Sequence, residues 1–187
     1  MMAGRSNVHW IQKFNKRFVE YADHGHINGA YGNRWRYHWN NDQILQVVNL
    51  LKSDPTSRRA VLNMWDPNSD WQQGLHDYPC NTHIYFRVVD GALDMLVCNR
   101  SNDFVWGMLG ANVVHMTMLQ EVIAHFAGLR LGKYRVVTNN LHLYTSTHGK
   151  LLVDTPVEHS IYSEGPYAME FGDVDSVKVF LDDCHMF

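Results

Sequence analysis

In the stretch DYPCNTHIYF, residues 77 to 86, a cysteine stands behind a proline and at the head of an alternating apolar run. Cysteine is a strong nucleophile only as the thiolate, and a free thiol titrates at about 8.5. Cys80 therefore needs a base or a cation beside it. The runs THIYFRVV and ALDMLVCNR flank Asp90-Gly91, a dipeptide suited to a two-residue hairpin turn. A hairpin turning there leaves residues 80 and 100 at the same open end, so Arg100 is the cation on offer. Its guanidinium would stabilise a thiolate and bind an anion together. From these residues alone, a small buried cysteine with a surface arginine stays open as the other reading.

The elements that must position this pair are legible to different degrees. VHWIQKFNKRFVEYAD spaces Trp10, Ile11, Phe14, Phe18 and Tyr21 at three and four residues, which predicts one amphipathic helix ending near Gly25. HGHINGAYGNRWRYHWNN has three glycines and no stable period and reads as an ordered loop. Asp42 can cap a second helix, QILQVVNLLKSD, which Pro55 stops. RAVLNMWD reads as a strand, WDPNSDWQQGLHDYP as a turn-rich connection, and VVHMTMLQEVIAHFAG as a buried helix ending at Gly128. KYRVVTNNLHLY reads as a further strand, and beyond it the signal weakens. The order gives an α+β domain, with helices packed on one mixed, mainly antiparallel sheet.

Composition sets the outer bounds. With 187 residues, 45% hydrophobic and 19% charged, the chain has the size of one globular domain. A net charge of -3 gives no basic field for a nucleic acid polymer. No apolar run approaches the roughly 20 residues that span a bilayer, and the first residues lack a signal-peptide core, so a cytoplasmic protein with no membrane partner is expected. Three cysteines without CxxC spacing argue against a disulfide framework. The twelve histidines are scattered without an HExxH pattern, and no metal site is expected.

DPTSRRAVLNMWDP, YPCNTHIYF, NRSNDFVWG and NNLHLY occur in the order and approximate spacing of motifs in the thymidylate synthase and pyrimidine nucleotide hydroxymethylase family. The resemblance covers roughly Tyr21 to Tyr144 and implies a thymidylate synthase-like fold whose sheet also forms a homodimer interface. It implies that Cys80 attacks C6 of a pyrimidine nucleoside monophosphate, making C5 a carbon nucleophile for the one-carbon unit of 5,10-methylenetetrahydrofolate. Arg100 and Ser101 would hold the 5'-phosphate, and Arg58 and Arg59 would reach the phosphate in a partner's site. Asp103 would meet the pterin, with Trp106 and Gly107 in the same cofactor-binding segment. His142 and Tyr144, two apart on a strand, would meet the sugar 3'-hydroxyl, and Tyr31 would help remove the C5 proton. Without the resemblance, each has a plainer role: a solvated arginine pair, a helix cap at Asp103, and packed aromatic residues.

Several positions depart from the methyl-forming synthases. Asn81 stands where histidine usually follows the nucleophile, RSND followed by FVWG is closer to the hydroxymethylases, and FNKRF has no tryptophan where the synthases carry an aromatic shield. Water would then capture the C5 methylene. Ala111 occupies the position four after Gly107 where the synthases read uracil with asparagine; a one-residue insertion would bring Asn112 there. By the resemblance, the chain would begin after the family's phosphate loop and glutamate-bearing helix and end without its folate-closing tail. The expected function is 5-hydroxymethylation of dUMP or dCMP by a single domain over residues 1–187. The alternatives are a thymidylate synthase and a non-catalytic nucleotide-binding relative.

Overall fold

The first strongly patterned segment does not become the helix its spacing predicts. The computed structural model describes residues 1–152, 169–172, 174 and 176–186. It shows a single turn, α1 (Val8–Ile11), and a separate 3-10 turn over Lys16–Tyr21. Two asparagines explain the break. The Asn7 side chain accepts from the Trp10 amide at 3.3 Å, and Asn15 accepts from the Arg17 amide at 3.0 Å, so a second start is capped where one helix would have continued. Phe14, 78% exposed, finds no core to face.

The segment read as a loop contains α2 (Tyr31–Arg36). Its glycines argued against a helix, but tertiary burial overrides propensity, with Arg34, Trp35 and Arg36 all buried. Helix α3 (Gln43–Ser53) follows as expected: the Asp42 carboxylate accepts from Leu45 N at 3.2 Å, and Ile44, Val47, Val48 and Leu51 face the core. After β1 (Val61–Asn63), one helical turn, α4 (Pro67–Asp70), is capped by Asp66 with proline at its start.

The hairpin forms around Asp90-Gly91, both at positive φ (51° and 74°), as a type I′ turn requires. It joins β2 (Asn81–Val89) to β3 (Ala92–Asn99) in antiparallel register from Val89 opposite Ala92 to His83 opposite Cys98. There the register slips by one, so that Asn81 faces Asn99. Beyond it come β4 (Asn102–Asp103), a π-helical turn over Phe104–Met108, and α5 (Ala111–Ala127), ended by Gly128 at φ 71°. The strand β5 (Arg130–Thr138) returns parallel to β3, giving a mixed sheet of order β1-β2-β3-β5. A short parallel pair links β4 to β6 (Leu141–His142). The turns α6 (Thr145–His148) and Gly149–Leu152, and the helix α7 (Val177–Met186), complete the described elements.

One sheet face packs on α3 and α5, burying Leu62, Ile84, Phe86, Met95 and Val97 with Val48, Leu119 and Ile123. Gln120 is buried with them, its amide donating to Leu93 O at 2.7 Å, which ties α5 to β3. The other face leaves Tyr85 (42%) and Val137 (57%) exposed.

Beneath α2 lies an ion pair with both side chains fully buried. Arg34 donates to the two oxygens of Asp70 at 2.6 and 2.9 Å, to Asn28 O from Nε and Nη2, and to Met64 O from Nη1. Asp70 also accepts from the Asp66 amide and the Asn28 side chain. Removing one partner leaves an uncompensated buried charge, so Arg34→Met is expected to cost about 3–5 kcal/mol in urea unfolding. Adding Asp70→Asn to that variant is expected to restore part of the loss, because the charge disappears while an acceptor for Asp66 N remains.

Candidate active site

The slip in the hairpin register decides what stands at its open end. A plain hairpin counted out from Asp90-Gly91 would set Cys80 opposite Ser101; the irregularity between Asn81 and His83 instead lets the Arg100 amide donate to Cys80 O at 2.9 Å. Arg100 and Cys80 therefore meet, as the sequence reading expected. The arginine is also bound to the loop that carries the cysteine, donating from Nε to Pro79 O (3.0 Å) and from Nη2 to Tyr78 O (3.3 Å). Its Nη1 has no hydrogen-bond partner among the described residues, and the group lies 5.5 Å from the Trp65 ring centroid. Ser101 follows, half-buried.

Tyr31, at the start of α2, reaches the same place. Its hydroxyl is near enough to hydrogen-bond the Cys80 thiolate and faces the backbone amides of Asn81 and Cys80. Burial pushes the Cys80 thiol above its ordinary value; Arg100 opposes this and Asp77 reinforces it. Burial, with the negative charges of Cys80 and Asp77, also raises the Tyr31 hydroxyl. The arginine thus favours the thiolate, as expected, without overcoming desolvation.

Asp77 was not a sequence candidate. Its carboxylate accepts from Gly29 N at 2.7 Å, and its acid strength falls with burial, offset by Arg34 and Arg100. A Cβ on Gly29 would stand 2.7 Å from that carboxylate and 2.8 Å from Pro79 N, so only glycine lets the Tyr31 segment lie this close to the cysteine loop. Nothing in the local pattern announced the contact, which joins residues 48 positions apart.

A second group assembles around the π turn. Asp103 caps it by accepting from Trp106 N through Oδ1, so the cap role weighed from sequence is present. Its Oδ2 is buried without a partner among the described residues, as are Asn102 Oδ1 and, next to Cys80, Asn81 Oδ1. Orphaned acceptors suit ligands with N–H or O–H donors. A Cβ on Gly107 would overlap Asn102 Oδ1 and come within 3.2 Å of Asn112 Nδ2, so the missing side chain is what lets Asn102 lie against the turn, with Asn112 close by. Leu109 N donates to Phe104 O at 3.1 Å, the wide closure of a turn holding one extra residue. Trp106, 54% exposed, stands on its surface.

His142 pairs in register with Asp103, and its ring lies 4.9 Å from that of Tyr144. The expectation that both occupy one strand is corrected: β6 ends at His142, and Tyr144 caps α6, 58% exposed. Parallel pairing with β4 spans only two residues, so the strand has nothing to continue against. Arg58 and Arg59 are exposed and form no side-chain hydrogen bond or ion pair among the described residues. Arg59 lines a surface hollow with Gln43, Gln46 and Leu50, apart from the Cys80 cluster. Among the described residues no three His, Cys, Asp or Glu side chains gather as a metal site, and no helix is long and apolar enough to cross a membrane.

The charge balance at Cys80 sets a pH dependence. Alkylation by iodoacetamide is expected to rise with pH with its midpoint above the ordinary thiol value, since only the thiolate reacts, and Arg100→Ala should move the midpoint higher still. Mass spectrometry of the Cys80 peptide follows it.

The family model described as Thymidylate synthase matches residues 1–171. Deoxyuridylate hydroxymethyltransferases of Pseudomonas phage M6, Bacillus phage SP01 and Delftia phage PhiW-14 are 42%, 34% and 30% identical over 81%, 82% and 77% of this chain. The chain spans 44%, 43% and 43% of their lengths, less than half of each. The crystal structure of thymidylate synthase from T4 phage has the same fold, with a TM-score of 0.66 and 24% identity over 84% of this chain and 61% of that one. The family match runs through the whole cluster from Tyr31 to Tyr144, and the chain belongs to the thymidylate synthase family.

Proposed function

We propose that the protein transfers a one-carbon unit from 5,10-methylenetetrahydrofolate to C5 of dUMP and leaves it as a hydroxymethyl group. The observation that carries this reading is the meeting of Cys80, Arg100 and Tyr31 at the open end of the hairpin, in a chain whose relatives are named deoxyuridylate hydroxymethyltransferases. Cys80 would add to C6, breaking the C5–C6 double bond and passing its electron pair to the C4 oxygen, which makes C5 a nucleophile. Arg100 Nη1 and Ser101 would take the 5'-phosphate. Asn112 offers an amide donor and acceptor, which suits O4 and N3–H of uracil. Tyr31 would relay the C5 proton to water, and His142 and Tyr144 would meet the 3'-hydroxyl of the deoxyribose.

Asp103 Oδ2, a buried acceptor without a partner, fits the N–H donors of a pterin, and Trp106 would cover the ring beside Gly107. The folate, when bound, supplies carbon at the oxidation level of formaldehyde. Water, admitted because FNKRF carries no shielding tryptophan, would complete the hydroxymethyl product. Two chains would share each site. The exposed Tyr85 and Val137 on the outer sheet face support a homodimer through the sheet, and Arg58 and Arg59, unpartnered among the described residues, suit a phosphate in the neighbouring subunit.

Incubation with 5-fluoro-dUMP and methylenetetrahydrofolate is expected to give a covalent adduct that Cys80→Ser abolishes. With dUMP, the product should be heavier than substrate by one CH2O unit, with no rise in near-ultraviolet absorbance from dihydrofolate; dTMP with stoichiometric dihydrofolate would mark a thymidylate synthase instead. Mixing Cys80→Ser with Arg59→Ala subunits is expected to recover up to about a quarter of parent activity from random hybrids, each with one intact site. No recovery despite proven subunit exchange would place Arg59 outside the shared site.

A further inference from the structure

Asn81 is 1% exposed and Asn99 7%, and the register slip sets them face to face beside the nucleophile. In the structure Asn99 turns Nδ2 to the Thr138 hydroxyl oxygen, 3.5 Å away on the neighbouring strand β5, and its carbonyl oxygen to Asn81 on β2. Asn81 Nδ2 donates to that oxygen. The donor side of Asn81 is used inside the sheet, and its Oδ1 is left as a buried acceptor with no partner among the described residues. An orphaned acceptor at such depth is costly unless a ligand or water satisfies it.

We infer that Asn99, held by Thr138, is a positioning residue that fixes the polarity of Asn81 so that Oδ1 accepts a hydrogen bond from the water attacking the C5 methylene. This rests on the hydroxymethylation reading. In the step, the water oxygen bonds to the exocyclic carbon and one water proton passes to solvent. The methylene π pair moves to the C4 oxygen; its return re-forms the C5–C6 double bond and expels the Cys80 sulfur from C6. Asn81 neither gains nor loses a proton. If the amide turned over, its NH2 would point at the water's lone pairs and compete for the electrons that attack. A uracil derivative keeps every atom it needs in this scheme, and no reductant enters.

Three measurements on the full chain separate the inference from the reading beneath it. In the unliganded protein, the Asn81 side-chain NH2 protons should exchange slowly with solvent by NMR, and Asn99→Ala and Thr138→Val should lose that protection. Asn99→Ala should slow hydroxymethyl product formation about ten-fold while Cys80 adduct formation with 5-fluoro-dUMP stays within about two-fold, the size of one oriented hydrogen bond. Added 2-mercaptoethanol, which competes with water for the methylene, should then capture a larger share as thioether. Asn99→Asp, whose carboxylate still accepts from Asn81 Nδ2, should keep the parent ratio of hydroxymethyl product to thioether. Equal losses of adduct and product in Asn99→Ala, an unchanged thioether share, or an unprotected Asn81 NH2 in the parent would each overturn the role of Asn99. Absence of any Cys80 adduct in the parent protein would instead remove the hydroxymethylation reading and the positioned water with it.

Discussion

The buried pairing of Arg34 with Asp70 is the constraint on which the rest of the site depends. It joins the segment before α2, the end of β1 and the turn α4. A buried ion pair contributes little to stability by itself, because desolvation offsets the attraction. Its value here is geometric. The five donor directions of one guanidinium are planar and fixed, so Asn28, Met64 and Asp70 can satisfy them in few arrangements. Asn28 also donates to Asp77 O, and Gly29 to the Asp77 carboxylate, which sets the cysteine loop against the residue that leads to Tyr31.

The hairpin supplies the other half of the framework. Its turn, alternation and open end were legible in the sequence because each is a local property: Asp90-Gly91 fits a type I′ turn, and side chains alternate on either side of it. The slip near Asn81 was not legible. It depends on how β2 and β3 are held beyond the last regular pair, and it brings Asn81 to Asn99 and Cys80 to Arg100. Helix α3 and the Gly128 stop were read for the same local reasons as the turn. Helix α2 was hidden because its stability comes from burying Arg34 and Trp35 against distant strands, and the first helix was overestimated because periodicity says nothing about whether a core lies opposite.

Of the site, the residues carried by motifs were legible, and those carried by tertiary contact were not. Cys80, Arg100 and Tyr31 come together from separate segments, and Asp103, Gly107 and Asn112 do so around one turn. Asp77, Asn99 and Asn102 are common polar residues in unremarkable local sequence, and their burial is visible only once the sheet is assembled. Cys80 also shows two effects in conflict. Burial raises the thiol, and the Arg100 guanidinium only moderates that rise.

The π turn at Phe104–Met108 bears on how this site tolerates change in chain length. Each residue of an α-helix advances the side-chain direction by about 100°, and a five-residue closure stores one residue beyond what an α-turn needs. Deleting a residue there would let the turn relax to ordinary helical winding, but the flanking groups would be rephased: either Asp103 on one side or Asn112 on the other would swing by about a quarter of a circle. The directions of Asp103 and Asn112 are thus coupled through a single count of residues, and a length change that leaves the fold intact would keep one aligned only by turning the other away.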